Sequence, residues 1–180
     1  ILKGTITDAS GQSREVITEW KLKRVEETHG DYIEYVYETA DEPVRGGLVA
    51  KAIYLKEVRA GNSGQSPHTV VVLEGSKQKR LKNNNARYGF LTSSNRLLEK
   101  LTVHFQGSTL RSYAFTYSEG AFNKDVLTGV KQLDDKGAEV SYQNFDYYDD
   151  VQAAKGYVPF KNSREKWDTH NDRLDAGFLN

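Results

Sequence analysis

Apolar and polar residues alternate strictly along several stretches of this 180-residue chain, and a two-residue period is typical of half-buried β-strands. Each alternating run places its apolar residues on one side of a strand. The runs are Trp20 and Leu22; Ile33, Tyr35 and Tyr37; Leu101, Val103 and Phe105; Tyr113, Phe115 and Tyr117; and Phe145 and Tyr147. Residues 70–73 are continuously apolar instead, which predicts a strand buried on both faces.

Turn-forming residues separate these runs. Gly and Asx residues, which tolerate positive φ, occur at 8–11, 28–31, 106–108 and 134–137. Gly30 is expected at positive φ in its turn. Hairpins in series predict a mainly β fold, an antiparallel meander of sequential β-hairpins. The expected organisation is a β-hairpin sheet domain at 1–152 and an irregular or short-helical C-terminal segment at 153–180.

A degenerate repeat accompanies the alternation. An aromatic-x-aromatic strand is followed by a Leu-rich strand at 35–37, 88–90 and 115–117, and another unit opens at 145–147. Such a unit cannot bury its face alone, so stacked neighbours must supply the other side. Trp20, Tyr35 and Phe115 are expected to be buried on one sheet face. Trp20→Ala is then expected to cost about 3–5 kcal/mol.

The composition and charge of the chain exclude several classes of site and of binding partner. The chain has no Cys, which excludes disulfides, Cys-ligated zinc and thiol nucleophiles. The 25 basic and 25 acidic side chains cancel, which argues against a globally basic surface for nucleic acid or anionic membrane. Apolar runs fall short of the roughly 18 residues of a membrane helix. Because the chain lacks Met and begins at Ile1, we expect a piece of a longer protein.

Few residues show the spacing of a metal site. His29, His68, His104 and His170 form no spaced ligand pair and are expected to be solvated. Oxygen ligands alternate along 168–172, as in a calcium loop, but the loop Gly and the distal Glu are missing. A solvated acidic loop is therefore favoured there, and we expect no metal site and no cofactor.

Two other groups of charged residues are candidates for catalysis or for phosphate binding. Asp146 with Asp149 and Asp150 could act as a general acid and base, but adjacent residues of an extended strand point to opposite faces. A turn or edge role is favoured, so no catalytic residue is expected. The basic residues of 77–87 could contact phosphate, although a solvated loop that separates sheet edges is the favoured interpretation. They are Lys77, Lys79, Arg80, Lys82 and Arg87.

The order of the strand motifs resembles that of Rhs/YD-repeat-related proteins. The motifs lie at 20–22, 28–37, 54–58, 70–73, 96–103, 110–117, 127–130 and 145–147. The resemblance is strongest to the B component of insecticidal toxin complexes and to virulence-plasmid toxin proteins that share its N-terminal region. It implies a sheet of hairpins that winds into a hollow shell around a toxic payload.

The resemblance also implies a role without catalysis, as scaffold or encapsulation in a secreted or surface-exposed bacterial protein. The implied partners are the rest of a larger toxin-like polypeptide or toxin-complex subunits, without nucleic acid and without a membrane span. The residues expected to carry the structure are Trp20, Gly30, Tyr35, Tyr37, Tyr113, Phe115 and Tyr117. The alternatives are a secreted module that binds carbohydrate, such as a host surface glycan, through exposed Tyr and Trp, and a hydrolase with an Asp pair at 146–150.

Overall fold

A computed structural model describes residues 1–147, which form β-strands and one 3-10 helix, Ala121–Asn123. The strands are β1 Leu2–Thr7, β2 Ser13–Glu19, β3 Arg24–Glu26, β4 Asp31–Pro43, β5 Val49–Asn62, β6 Thr69–Glu74, β7 Asn84–Asn85, β8 Thr92–Ser93, β9 Lys100–Phe105, β10 Ser108–Glu119, β11 Asp125–Leu133 and β12 Glu139–Asn144. The predicted mainly β fold is confirmed. The segment expected at 153–180 lies outside the described residues.

Strands that are neighbours in sequence are mostly neighbours in space. β1 and β2 form a separate two-stranded sheet, and the remaining strands form a ten-stranded sheet in the order β12-β11-β10-β9-β6-β5-β4-β3, with β7 and β8 beside β5. The pairings are antiparallel, apart from the parallel bridge between Lys51 and Thr92. The predicted meander is interrupted once, where residues 75–99 connect β6 to β9.

The hairpin turns lie where the Gly and Asx residues predict them. Gly30 has φ 93°, which confirms its expected conformation, and its N–H donates to Glu27 O at 2.9 Å. In the β11–β12 turn, Asp134 Oδ1 accepts the backbone N–H groups of Lys136 at 2.9 Å and of Ala138 at 2.7 Å. A short side chain that caps its own turn in this way fixes a tight connection.

The sheet has one apolar and one more polar face. Residues directly opposite one another on paired strands share a face. The register aligns two apolar-rich rows on one side, namely Val25, Ile33, Ala60, Thr69 and Phe105, and Tyr35, Val58, Val71 and Val103. Tyr113 joins this side through Leu101, and Phe115 extends it to Val130. We call this side the apolar face. The opposite side carries the row Glu34, Arg59, Val70, His104 and Thr109.

Register shifts preserve the predicted alternation. Val36 pairs with Glu57 and Tyr37 with Leu55, so the extra residue belongs to β5 and the alternation of β4 continues. A shift after Thr116 likewise inserts its extra residue in β11, so β10 stays regular from Arg111 to Glu119, although Leu110 is an extra residue opposite β9. Tyr35 and Tyr37 therefore stay on one face, and so do the three aromatic residues of β10.

The core of the described chain is small. Its buried apolar residues are Leu2, Tyr32, Ala50, Ala52 and Leu97. Tyr35, Val71 and Phe115 on the apolar face are only half-buried. The ten-stranded sheet is therefore largely a single layer, and the apolar face remains partly open within the described residues.

The expected burial of Trp20 is wrong. Trp20 is 70% exposed and lies between β2, which ends at Glu19, and β3, which begins at Arg24. Its alternation with Leu22 does not produce a strand, because neither residue has a ladder partner within residues 1–147. Tyr35 and Phe115 do share the apolar face, but as half-buried side chains.

Two further strand predictions need correction. Residues 88–90 form a turn, because Gly89 adopts φ 85°, and they are not an aromatic strand. The apolar run 70–73 does lie in a central strand, β6. Its residues are half-buried and not buried on both faces, since neither side of this single-layer region is fully covered.

Candidate functional site

The connection 75–99 is closed at its base by Glu99. One carboxylate oxygen of Glu99 accepts the backbone N–H groups of Ser76 at 2.8 Å and Lys77 at 2.9 Å, and also the hydroxyl of Ser76 at 2.8 Å. The backbone hydrogen bond from Ser76, followed by the other donors, lowers the pKa of Glu99. An ionised Glu99 therefore holds the two ends of the connection together.

A polar cluster ties the same connection to the long β4–β5 hairpin. It consists of Glu42, Tyr54, Ser93, Asn95 and Arg96. Glu42 Oε1 accepts Arg96 Nε at 2.8 Å and the Tyr54 hydroxyl at 3.0 Å, while Glu42 Oε2 accepts the Ser93 hydroxyl at 2.9 Å. The Tyr54 hydroxyl in turn accepts the backbone N–H of Asn95 at 3.1 Å. The cluster joins groups from β4, β5, β8 and the residues after β8.

Local structure explains why these side chains meet. Glu42 pairs with Ala50, Ala40 with Ala52, and Glu38 with Tyr54, so the register places all six residues on one face. Ala50 and Ala52 are fully buried and present only a methyl group. These small side chains leave room for residues 93–96 to approach the hairpin.

The electrostatics of the polar cluster favour an ionised Glu42. Burial raises the pKa of this carboxyl, but the hydrogen bonds from Ser93, Tyr54 and Arg96 together outweigh burial and lower the pKa overall. Burial also raises the pKa of Tyr54, so this phenol stays protonated and donates. The guanidinium of Arg96 lies 4.6 Å from the centre of the Tyr54 ring.

The polar cluster is saturated with internal partners. Both carboxylate oxygens of Glu42 accept hydrogen bonds, and Asn95 uses its amide to bind Asn84 Oδ1 and the N–H of Asn83. Within residues 1–147, no buried side-chain nitrogen or oxygen lacks a partner. This arrangement is chemically suited to fixing the 75–99 connection against the hairpin.

The basic residues at 77–87 are divided among separate contacts. The Arg80 guanidinium pairs with Asp125, whose side chain is 3% exposed, and the Arg80 N–H donates to the same carboxylate at 2.7 Å. Lys79 donates to Ser94 O at 2.9 Å and Lys82 to Gln78 Oε1 at 2.7 Å. The charge of Arg80 is therefore paired with a carboxylate, whereas Lys79 and Lys82 are hydrogen-bonded to neutral oxygens.

The predicted histidine and aspartate positions do not converge. His29 is exposed, His68 contacts the Phe105 ring with centroids 6.2 Å apart, and His104 lies near Thr109. Asp146 is exposed and accepts from Asn144 at 3.3 Å. In residues 1–147, no three His, Asp or Glu side chains are grouped as metal ligands. His170, Asp149, Asp150 and the loop 168–172 lie outside the described residues.

The expected structural residues divide into two groups. Tyr35, Tyr37, Tyr113 and Phe115 are half-buried, whereas Trp20 is exposed. The Tyr117 hydroxyl donates to Leu98 O at 2.8 Å and so fixes the end of the 75–99 connection. Sequence reasoning missed Glu42, Tyr54 and Arg96. Their positions carry no spacing signal, because long-range register brings them together.

The comparisons with known proteins concern this arrangement of strands. The chain shares its fold with two solved structures. One is the crystal structure of TcdB2-TccC3-TEV, with a TM-score of 0.54 and 15% identity. The other is the N-terminal domain of effector protein SpvB from Salmonella typhimurium strain LT2, with a TM-score of 0.53 and 13% identity. At these identities the likeness shows the fold alone, a mainly antiparallel β-sheet of consecutive strands.

The matched regions are parts of longer chains. The first alignment covers 81% of this chain and 9% of the TcdB2-TccC3-TEV chain. The second covers 72% of this chain and 54% of the SpvB chain. No protein-family model matches the chain, and no curated protein sequence matches it either. Among the described residues, no helix is both long and apolar enough to cross a membrane.

Proposed function

We propose that this chain is a non-catalytic scaffold segment of a larger toxin-like polypeptide of the Rhs/YD-repeat type, in which its sheet forms part of an enclosing wall. The proposed setting is a secreted or surface-exposed bacterial protein. The fold shared with TcdB2-TccC3-TEV and the SpvB domain supports this proposal. The observation that carries it is the partly open apolar face.

The apolar face of the described sheet lacks a covering layer. Val25 is 48% exposed, Ile33 41% and Phe105 46%, although the register places all three in one row across the sheet. Contiguous exposed apolar surface usually marks an interaction site. A sheet in a larger polypeptide would cover this surface with neighbouring strands or with enclosed chain.

The edge strand β12 supports the same role. β12 is exposed at all six of its residues and pairs only with β11 within the described sheet. An unpaired strand edge offers free N–H and C=O groups to another strand. A wall that continues beyond β12 would satisfy these groups and would extend the meander already present.

Electron cryomicroscopy of the full-length gene product tests the proposal. We expect additional strands beside β12 and protein density against Tyr35, Val71 and Phe115. A sheet that ends at β12 and exposes Val71 to bulk solvent in the complete protein would refute the scaffold role.

A simpler measurement uses the 180-residue chain. We expect it to bind an apolar dye such as ANS, which reports exposed hydrophobic surface. Val71→Thr should reduce dye binding more than Val72→Thr, because Val71 is on the apolar face and Val72 is on the opposite one. Equal effects of the two substitutions would contradict the role given to the apolar face.

A carbohydrate-binding module is the second proposal, and the exposure of Trp20 supports it. Trp20 at 70% and Tyr147 at 53% exposure present rings that could stack on sugars. A glycan array tests this alternative. Binding that disappears with Trp20→Ala and persists with Phe122→Ala, a second exposed aromatic, would favour it over the scaffold role; the absence of glycan binding would exclude this use of Trp20.

A further inference from the structure

A basic cleft lies between the 75–99 connection and the turn that joins β10 to β11. Its volume is about 450 Å³, within the range typical of ligand sites. Its lining includes Lys79, Lys82 and Lys124 together with Leu81, Leu97 and Asp125. Lys124 lies far from the other lysines in sequence, so the cleft could not be identified from the basic run at 77–87.

The charges of this cleft are unbalanced. Asp125 is the acidic residue in the lining that the structure describes, and its carboxylate is already engaged by the guanidinium and N–H of Arg80. Lys79 and Lys82 donate to neutral oxygens, which leaves their positive charges uncompensated by those contacts. The cleft therefore favours a ligand that carries negative charge.

The two leucines in the lining make the cleft partly apolar. Leu97 is buried, whereas Leu81 is 51% exposed and remains available for contact. A bare inorganic anion would leave Leu81 in water. An acidic ligand with an apolar side chain would satisfy both the lysines and the leucine.

The turn that presents Lys124 has an uncommon backbone. Phe122 has φ 59° and Asn123 has φ 58°, both in the left-handed region that non-glycine residues rarely adopt. The turn is held by the Gly120 N–H, which donates to Lys124 O at 2.8 Å. Two successive residues of this kind favour a defined position for Lys124.

We propose that this cleft binds an acidic peptide segment whose carboxylates face Lys79, Lys82 and Lys124 and whose apolar side chain contacts Leu81. Charge complementarity with the three lysines and the exposed side chain of Leu81 favour this occupant. A single-stranded nucleic acid would also stack its bases on aromatic rings, and none of the lining residues that the structure describes is aromatic.

The test uses the 180-residue chain and a fluorescein-labelled peptide, acetyl-Asp-Glu-Leu-Glu-Asp amide, in an anisotropy titration. We expect binding that weakens between about 0.05 M and about 0.5 M salt, since screening shortens the range of charge attraction. The matched peptide with Asn and Gln in place of Asp and Glu should bind at least about tenfold more weakly. Equal affinity for the two peptides, or no binding of either, would overturn the proposal.

Charge-reversal variants locate the site. Lys82→Glu with Lys124→Glu should weaken peptide binding about tenfold, because attraction is replaced by repulsion at two positions. Lys23→Glu with Lys136→Glu makes the same change in net charge away from the cleft and should alter the affinity less than about twofold. An equal loss in both double variants would overturn the site.

Two further measurements complete the test. Leu81→Ser should weaken binding of the Leu peptide but not of the peptide with Ala in its place, since only the first uses the apolar contact. Circular dichroism melts should show that these surface variants remain folded. Tighter binding to phosphatidylserine vesicles than to the peptide, lost in Lys82→Glu with Lys124→Glu, would assign the cleft to membrane and overturn the peptide proposal.

Discussion

Arg96 donates from Nε to Oε1 of Glu42 at 2.8 Å, although the two residues are 54 positions apart in sequence. The Glu42 side chain is 4% exposed and that of Arg96 is 24% exposed. Water therefore has little access to the Glu42 carboxylate, whereas the Arg96 side chain is partly exposed. The ion pair fastens the end of the 75–99 connection to the long hairpin, so its loss should affect the whole fold.

Arg96→Ala should lower the free energy of unfolding by about 3 kcal/mol, because it leaves the buried carboxylate of Glu42 without its cation. Arg59→Ala is the matched control. Arg59 contacts Glu57 at 2.6 Å, but it is 38% exposed, and such surface pairs contribute at most about 1 kcal/mol. Urea denaturation measures the free energy of unfolding of both variants. Similar losses for both variants would contradict the special role of the Glu42 contact.

Acid should weaken the polar cluster. The folded-state pKa of Glu42 is lower than its unfolded value of about 4.3, so this group stabilises the fold above about pH 4.3. That contribution is lost as pH falls through the lower folded pKa, because Glu42 is then protonated in the folded state as well as in the unfolded state. Glu42→Gln removes the titration and should reduce the acid dependence of stability.

The measurement is a set of urea melts from neutral pH down to about pH 3, below the ordinary glutamate pKa. Glu99 also has a lowered pKa and titrates in the same direction, but it is present in both proteins. The difference between wild type and Glu42→Gln therefore isolates Glu42. A difference that stays constant across this range would show that Glu42 does not titrate as proposed.

The hairpins could be predicted from sequence because their determinants are local. Gly30 and Asp134 define turns within a few residues, and alternation in β10 places Tyr113, Phe115 and Tyr117 on one face. A strand pattern also needs a pairing strand, however, and Trp20 has none in the part of the chain that the structure describes. Alternation alone could not distinguish an exposed linker from a strand.

The candidate sites depend on long-range geometry, which a single sequence does not contain. Glu42 meets Arg96 across the pairing of β8 with β5, and Lys124 lies beside Lys82 because the sheet brings two distant segments together. Extra residues in β5 and β11 also shift the register without any clear sequence signal. The sequence shows which residue types are present, but it does not show which residues are neighbours in space.

Gly75 is required where the 75–99 connection leaves β6. A Cβ atom there would overlap the carbonyl oxygen of Leu97, which is backbone and cannot rotate away. Gly75→Ala should therefore cost about 3 kcal/mol. Gly137→Ala meets open space, but Gly137 has φ 85°, so it should cost only about 1–2 kcal/mol from backbone strain. Urea melts that rank Gly137→Ala as the more damaging change would contradict the close approach at Gly75.

The β1–β2 hairpin is positioned by Phe90. A Cβ atom on Gly4 would overlap the Phe90 ring, so Gly4→Ala should push the two apart. Phe90→Ala alone should also destabilise the hairpin, because it opens a gap beside Gly4. In the double variant the added methyl group occupies part of that gap. A double-mutant cycle should therefore give a favourable coupling of about 1 kcal/mol, and additive effects would show that Gly4 and Phe90 do not pack together.

Because Trp20 is exposed, its replacement should cost much less stability than the sequence predicts. Trp20→Ala should change the free energy of unfolding by less than about 0.5 kcal/mol, as for other exposed positions. Phe115→Ala is the control and should cost about 2 kcal/mol, less than the roughly 3–5 kcal/mol of a fully buried ring. Urea melts of both variants measure the two changes in the free energy of unfolding. A loss of about 3 kcal/mol for Trp20→Ala would mean that Trp20 packs against other parts of the chain and would contradict its exposed position.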